Sequence, residues 1–250
     1  GECAPGLENH PHLWPRGAYL GSASTWPHTQ GGMSEYLIVD ASMVRVLPAG
    51  LSVRDAALAE PLAVGLHAIN VAGGVDGARV LVSGSGPIGL LVAAGALASG
   101  AASVACSDVL TGPLARARDL GVQATYRVGV DEIPDEAFDV VFECSGAPAA
   151  VNGAIRAVRR AGVIAQVGMM SAGPKPIELA TLISKEAQVR GCFRFRDEID
   201  AALGLLARDP GIARVVTHEV PADDVHAAFA TARDSEASGK VLVRLWGAES

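Results

Sequence analysis

An α/β fold built on a doubly wound parallel sheet is what this sequence predicts, and three observations carry that expectation. Short apolar runs alternate with helix-period stretches from residue 79 to residue 193. The first of these runs leads straight into Gly84-Ser85-Gly86-Pro87-Ile88-Gly89, a glycine turn with a strand before it and a helix after it. Half of the residues are hydrophobic but only 4% are aromatic, so Ala, Val, Leu and Gly fill the interior. Small and branched side chains suit helices packed on both faces of a parallel sheet. This is the Rossmann arrangement.

The elements read as follows. Residues 1–34, rich in Pro, Gly, His and Trp, are loop. Residues 35–39 and 43–47 read as short strands, with Pro48-Ala49-Gly50 as a turn. A helical pattern runs from Ser52 to about Ala72, interrupted at Pro61 and ended by Gly73-Gly74. Next come a strand at 79–83, a helix to about Ser99, a strand at 103–107 reaching Asp108, and a helix at 113–120 stopped by Gly121. A strand at 138–143, a helix at 147–160 and strands at 162–167 and 188–193 complete the alternation. The tail changes character: an amphipathic helix at 197–207, a strand at 215–220, a helix at 223–234 and a strand at 240–245. This tail need not join the doubly wound sheet. It can return to a smaller domain built partly from residues 1–60.

Charge and composition narrow the function. The formal net charge is -7, and no Lys/Arg stripe is present, which argues against nucleic acid as a partner. The longest apolar stretch, around Ile88 to Ala98, falls short of a membrane span. Cys3, Cys106, Cys144 and Cys192 are widely spaced, three of them in apolar runs. They suggest buried thiols rather than a disulfide framework, and hence the cytoplasm.

The glycine turn is the principal site signal. Gly84 permits the tight turn, Gly86 lets backbone approach a pyrophosphate, and Gly89 lets the helix pack close to the strand. Pro87 and Ile88 open the helix, whose first N–H groups are free to meet phosphate. Asp108, at the end of the next strand, can accept hydrogen bonds from ribose hydroxyls and would repel a 2′-phosphate, which favours NAD over NADP. Cys144-Ser145-Gly146 and Val167-Gly168-Met169 follow later strands and can either approach the nicotinamide half or act as simple tight turns. Glu60, before Pro61 in an apolar segment, is a candidate catalytic or metal-binding carboxylate, because its burial would demand a cation. Arg194, beside Phe193, is placed to meet phosphate, ribose or a substrate carboxylate. His67 reads as a structural histidine. His10, His12 and His28 with Cys3 do not match a zinc spacing.

Eight stretches together resemble the polyol-oxidising branch of the zinc-dependent medium-chain dehydrogenases, that of the L-idonate 5-dehydrogenases and sorbitol dehydrogenases. They are GLEN (6–9), LGSAS (20–24), PHTQGGMSEYLIVDAS (27–42), ALAEPLAVGLHA (57–68), VLVSGSGPIGLL (80–91), FDVVFECSG (138–146), GVIAQVGM (162–169) and GCFRF (191–195). The resemblance implies a GroES-like, mainly β catalytic domain made from residues 1–61 and 196–250, with a Rossmann NAD-binding domain over 62–195. It implies zinc-assisted hydride transfer from a secondary alcohol of a polyol or sugar acid to NAD. Glu60 matches the family glutamate beside the zinc, and Arg194 the arginine near cofactor and substrate. It further implies a homodimer or homotetramer.

The sequence also departs from the family. The cysteine and the His-Glu pair that hold the catalytic zinc are expected ahead of residue 1, so the chain reads as lacking the first part of the catalytic domain. Cys3 matches the third cysteine of the family's structural-zinc loop, and Pro11 stands where the fourth is expected. Two alternatives stay open: a catalytically inactive NAD-binding or structural protein, and a zinc-independent reductase, against which Glu60 and GCFRF argue.

Overall fold

The computed structural model describes residues 2–17, 19–23 and 26–246. Ser24, which ends the LGSAS stretch, lies outside the described residues, as do Gly1 and residues 247–250. Among the described residues ahead of residue 52 the backbone forms only the short 3-10 turns Pro11–Leu13 and Ala41–Met43. The strands expected at 35–39 and 43–47 are therefore not formed. A strand needs a neighbour for its N–H and C=O groups, and among the described residues no strand pairs with either segment. Tyr36, Ile38, Val44 and Val46 are exposed instead.

Helix α1 (Val53–Ala56) starts at Ser52, whose side chain accepts from the Asp55 N–H at 3.1 Å. Helix α2 (Ala59–Ala72) follows. Pro61 does not interrupt it, because it falls at the third helical position, where the N–H has no partner within the helix. Gly73, at φ +94, closes α2, and the Gly74 N–H returns to the Ile69 carbonyl at 2.9 Å. The main sheet and its helices then alternate: β1 (Arg79–Ser83), α3 (Pro87–Ala98), β2 (Ser103–Asp108), α4 (Thr111–Asp119), β3 (Ala124–Arg127), β4 (Phe138–Glu143), α5 (Pro148–Ala157), β5 (Val158–Gln166), α6 (Leu179–Ser184) and β6 (Gln188–Gly191).

The strands lie in the order β3-β2-β1-β4-β5-β6, all parallel. The direction of winding reverses between β1 and β4, and ligands of such sheets sit there, beyond the carboxyl ends of the strands. Successive strand residues face opposite layers. Val80, Val82, Val104, Val140 and Phe142 pack with α2 and α3, while Leu81, Ala105, Val141 and Ile164 pack with α5. Helix α3 is buried from Gly89 through Ala96, as a helix apolar on every side must be. Its approach to α2 is close: a Cβ on Gly65 would lie 3.2 Å from the Val92 nitrogen, and one on Gly95 would lie 3.1 Å from Ile69 Cδ1.

Several boundaries differ from expectation. The helix expected over 147–160 stops at Ala157, and the strand expected over 162–167 starts at Val158. Val158 pairs with Phe138, and the register then slips so that Val140 meets Val163. The helix end is taken over by Lys185, a buried side chain whose ammonium donates to the carbonyls of Ile155 (3.0 Å), Arg156 (2.7 Å) and Val158 (3.0 Å). Strand β6 stops at Gly191 rather than residue 193, because the chain turns away and Arg194 takes a left-handed φ of 56. Strand β3 and helix α6 had no clear apolar period and were not expected from the sequence.

Helix α7 (Ile199–Arg208) buries Ala202, Leu203, Leu205 and Leu206 in the core shared with α2. Beyond it, β7 (Val216–Pro221), α8 (Val225–Arg233) and β8 (Lys240–Arg244) make a separate two-stranded parallel unit. The tail thus stays out of the doubly wound sheet. Among the described residues no helix is long and apolar enough to cross a membrane.

Lys185→Met should leave three carbonyls without their cation and cost about 2–3 kcal/mol of stability, read as a lower urea midpoint with an unchanged slope.

Candidate cofactor and substrate site

The glycine turn sits where β1 gives way to α3, on the β4 side of which the winding reverses. Gly84 has φ +93, and a Cβ there would fall 2.8 Å from the Ser145 nitrogen. A Cβ on Gly89 would fall 1.9 Å from the Gly84 carbonyl oxygen. Both positions therefore demand glycine for the protein's own packing. Gly86 is different: nothing lies within 4 Å of where its Cβ would be. It is also the N-cap of α3, with no side-chain capping bond, and Pro87 follows it. Open space over an uncapped helix start fits a pyrophosphate, which would take the free N–H groups of Ile88 and Gly89.

Asp108 is tied to this turn. Its Oδ2 accepts from the Ser85 N–H at 2.8 Å and its Oδ1 from the Leu110 N–H at 3.0 Å. Each carboxylate oxygen keeps a second lone pair for a ribose hydroxyl.

The turns after β4 and β5 face one another. A Cβ on Gly146 would lie 2.4 Å from the Met169 carbonyl oxygen, and one on Gly168 would lie 2.2 Å from the Gly146 nitrogen. These two glycines are required by each other's backbone. Glu143, fully buried at the end of β4, holds the arrangement. Its Oε1 accepts from the Ser145 N–H at 2.8 Å and from the Ser145 hydroxyl, and its Oε2 from the Gly146 N–H at 3.0 Å and from the Gln166 amide. Cys144, Ser145, Gly146, Val167, Gly168 and Met169 thus form one braced rim at the carboxyl edge of the sheet, with Met169 exposed. The sequence signal for Glu143 was an acid closing an otherwise apolar strand.

Glu60 is an exposed acid in the first turn of α2, so no buried charge demands a cation there. Its Oε1 accepts from the Tyr19 hydroxyl at 2.5 Å. Burial, and then the hydrogen bond to Glu60, push the Tyr19 phenol well above its ordinary range. The Arg194 guanidinium lies 4.5 Å over the Tyr19 ring and 4.6 Å over that of Phe193, and it donates to the Ser22 hydroxyl at 3.2 Å. Glu60 and Arg194, expected from the sequence, are thus joined through Tyr19, which was not, and Phe193 is joined to them through Arg194; Tyr19 sits in a loop without periodicity.

His67 is a structural histidine. Its Nδ1 meets Glu198 Oε1 at 2.9 Å, and Asn70 donates to the same oxygen at 3.0 Å. Glu198 Oε2 accepts from the Arg196 and Asp197 N–H groups at 2.7 and 3.1 Å. Burial alone would raise the Glu198 carboxyl, but the bonds from His67, Asn70 and Arg196 outweigh it and hold it at about 2. His10, His12 and His28 with Cys3, whose spacing does not match a zinc site, are not gathered into a metal cluster. His10 and His12 line a cavity of about 390 Å³ with His67, Asn70 and Arg196, while His28 meets Trp26 edge to face. Among the described residues no three His, Cys, Asp or Glu side chains are grouped to hold a metal ion. Glu60 meets a phenol instead of further ligands, so these residues do not by themselves fit a zinc ion.

A family model described as zinc-binding dehydrogenase matches residues 87–208. Over 249 residues the chain is 34% identical to L-idonate 5-dehydrogenase (NAD(P)(+)) of Escherichia coli (strain K12), covering 96% of this chain and 72% of that protein. The chain belongs to the zinc-dependent medium-chain dehydrogenases. The crystal structure of L-idonate 5-dehydrogenase from Escherichia coli superposes with a TM-score of 0.91 at 33% identity, over 98% of this chain and 72% of that one. Within the same family, sorbitol dehydrogenase 1 of Saccharomyces cerevisiae is 33% identical over 81% of this chain, which spans 61% of that protein's length. A zinc-binding dehydrogenase from Sinorhizobium meliloti 1021, solved bound to NADP, superposes with a TM-score of 0.78 at 28% identity, over 87% of this chain and 67% of that one. NAD(P) and zinc are the cofactors of the complete family fold.

Two outcomes follow from the geometry. Gly86→Ala should fold with stability within about 0.5 kcal/mol of the parent yet lose NADH binding by roughly a hundredfold, whereas Gly89→Ala should lower stability outright; fluorescence titration and urea unfolding separate the two. Glu198, ordinarily at 4.5, is depressed when folded, so its contribution is complete above pH 4.5 and is lost as pH falls toward 2. Glu198→Gln should remove on the order of 3 kcal/mol near neutrality and flatten the acid limb of the stability profile.

Proposed function

We propose that this chain carries the NAD-binding domain and part of the catalytic domain of a dehydrogenase that oxidises a secondary alcohol of a polyol or sugar acid. One observation carries the reading: the open space over Gly86, at an uncapped helix start beside the reversal of the sheet, in a chain of this family. Residues 62–195 form the nucleotide domain in this reading, and residues 1–61 and 196–250 belong to the catalytic domain. The protein is cytoplasmic, a homodimer or homotetramer, and acts on a small molecule.

NAD supplies a hydride acceptor at nicotinamide C4. The chain's own residues do the rest of the work on it. Gly84, Gly86 and Gly89 with the N–H groups of Ile88 and Gly89 hold the pyrophosphate. Asp108 accepts from the adenosine ribose. The rim at Cys144–Gly146 and Val167–Met169 backs the nicotinamide half, and Glu143 keeps that rim rigid. Arg194, clamped between Tyr19 and Phe193, offers a cation to phosphate or to a substrate carboxylate. Glu60 presents a carboxylate to water or to a substrate hydroxyl. Zinc, where the complete family fold holds it, would supply Lewis-acid chemistry at the alcohol oxygen, and Glu60 is the carboxylate this chain would offer beside it.

A second reading, dinucleotide binding without turnover, is favoured by the Tyr19–Glu60 bond, which occupies the carboxylate with a phenol. Steady-state assays with NAD, zinc, L-idonate and sorbitol distinguish the two. The proposal expects NADH to accumulate with at least one substrate and to stop accumulating in Glu60→Ala. NADH binding without turnover of either would leave the second reading, and no binding would sink both.

A further inference from the structure

We infer that Glu236, in the loop ahead of β8, acts with Asp108 to exclude a dinucleotide that carries a 2′-phosphate. The inference rests on the NAD reading above and deepens it. Asp108 ends β2 and Thr111 begins α4, so the adenosine ribose of a bound dinucleotide lies beside the short turn between them. A 2′-phosphate there needs a cation or free N–H groups. The structure has both, and both are already taken.

The start of α4 is filled by a carboxylate that comes from 125 residues away. Glu236 Oε1 accepts from the Thr111 hydroxyl at 2.6 Å and from the Gly112 N–H at 2.9 Å. The loop lies flat on the helix: a Cβ on Gly112 would fall 1.9 Å from the Glu236 carbonyl oxygen. Arg116 is the guanidinium of this helix that faces the loop. Its Nη1 donates to the Glu236 carbonyl at 3.1 Å and its Nη2 to the Ser235 carbonyl at 2.7 Å, while Nε is buried without a partner. The charges of Glu236, Asp108 and Asp234 all act on it. The loop is also anchored on its own side, with the Ser238 hydroxyl donating to the carbonyls of Thr231 (2.8 Å) and Asp234 (3.0 Å). Arg116 therefore does not swing out without opening a braced loop.

A 2′-phosphate would thus meet two carboxylates, an occupied helix start and a captured arginine. A ribose 2′-hydroxyl meets none of these penalties, because it donates to Asp108. Glu236 is a specificity-determining residue supplied by the tail of the chain rather than by the strand that ends at Asp108.

The test is fluorescence titration of the full chain with NADH and with NADPH, at low and at high salt. The wild type should favour NADH by about a hundredfold, and Glu236→Gln should tighten NADPH by about tenfold. The advantage should shrink with salt in the wild type more than in the variant, because it is a repulsion between exposed charges. Glu236→Asp, which keeps the charge, should keep the preference. A merely structural role would move both cofactors together, with no salt dependence. An NADH to NADPH ratio unchanged in Glu236→Gln overturns the inference while the dinucleotide reading stands, and so does a wild type that binds both equally. A wild type that binds neither takes the inference and the cofactor reading down together.

Discussion

Backbone against backbone, with no side chain between, is the constraint on which the rest of this molecule depends. Helix α3 reaches the sheet only because Gly89 leaves room for the Gly84 carbonyl, and reaches α2 only because Gly65 and Gly95 are bare. With those distances fixed, a helix of Leu, Val, Ala and Gly alone can be buried on every side. The same closeness brings the first N–H groups of α3 to the carboxyl edge of β1, beside β4. The anion site is therefore a by-product of core packing, and of the three glycines in the turn the one not needed for packing, Gly86, is the one with free space above it.

Buried carboxylates do the second part of the positioning. Glu143 and Glu198 are both buried, and each is saturated by four or more donors from its own neighbourhood. A buried acid with that many partners is costly to disturb, because removing any donor leaves a charge in a dry place. Glu143 thereby fixes the rim on the nicotinamide side, and Glu198 fixes α2 to the segment that follows Phe195.

The sheet was legible in the sequence wherever a strand was apolar throughout, as at Val80–Val82 or Val140–Phe142, and wherever a glycine closed a helix, as at Gly73 and Gly121. It was not legible where a distant side chain set the boundary. Nothing near residue 157 in the sequence says that Lys185 will take the last carbonyls of α5. Residues 35–39 and 43–47 have the composition of strands, but pairing is a property of two segments and neither finds a second among the described residues. The glycine turn and Asp108 could be read because each acts locally. Tyr19 could not, since its meaning comes from contact with Glu60 across 41 residues of chain. The apolar neighbours of Glu60 left its exposure open, because the first turn of a helix lets one residue face solvent while the next three are buried.

The segment after β6 carries a mechanical consequence. The Cys192 N–H is held by the Gln166 carbonyl at 2.9 Å, and the Arg196 and Asp197 N–H groups are held by Glu198. Phe193, Arg194 and Phe195 are therefore a bridge pinned at both abutments, and the left-handed turn at Arg194 is its crown. The reach of the Arg194 guanidinium toward an anion is limited by the torsions of those three residues, which makes the span a strut of fixed length between the sheet and the loop that bears Tyr19.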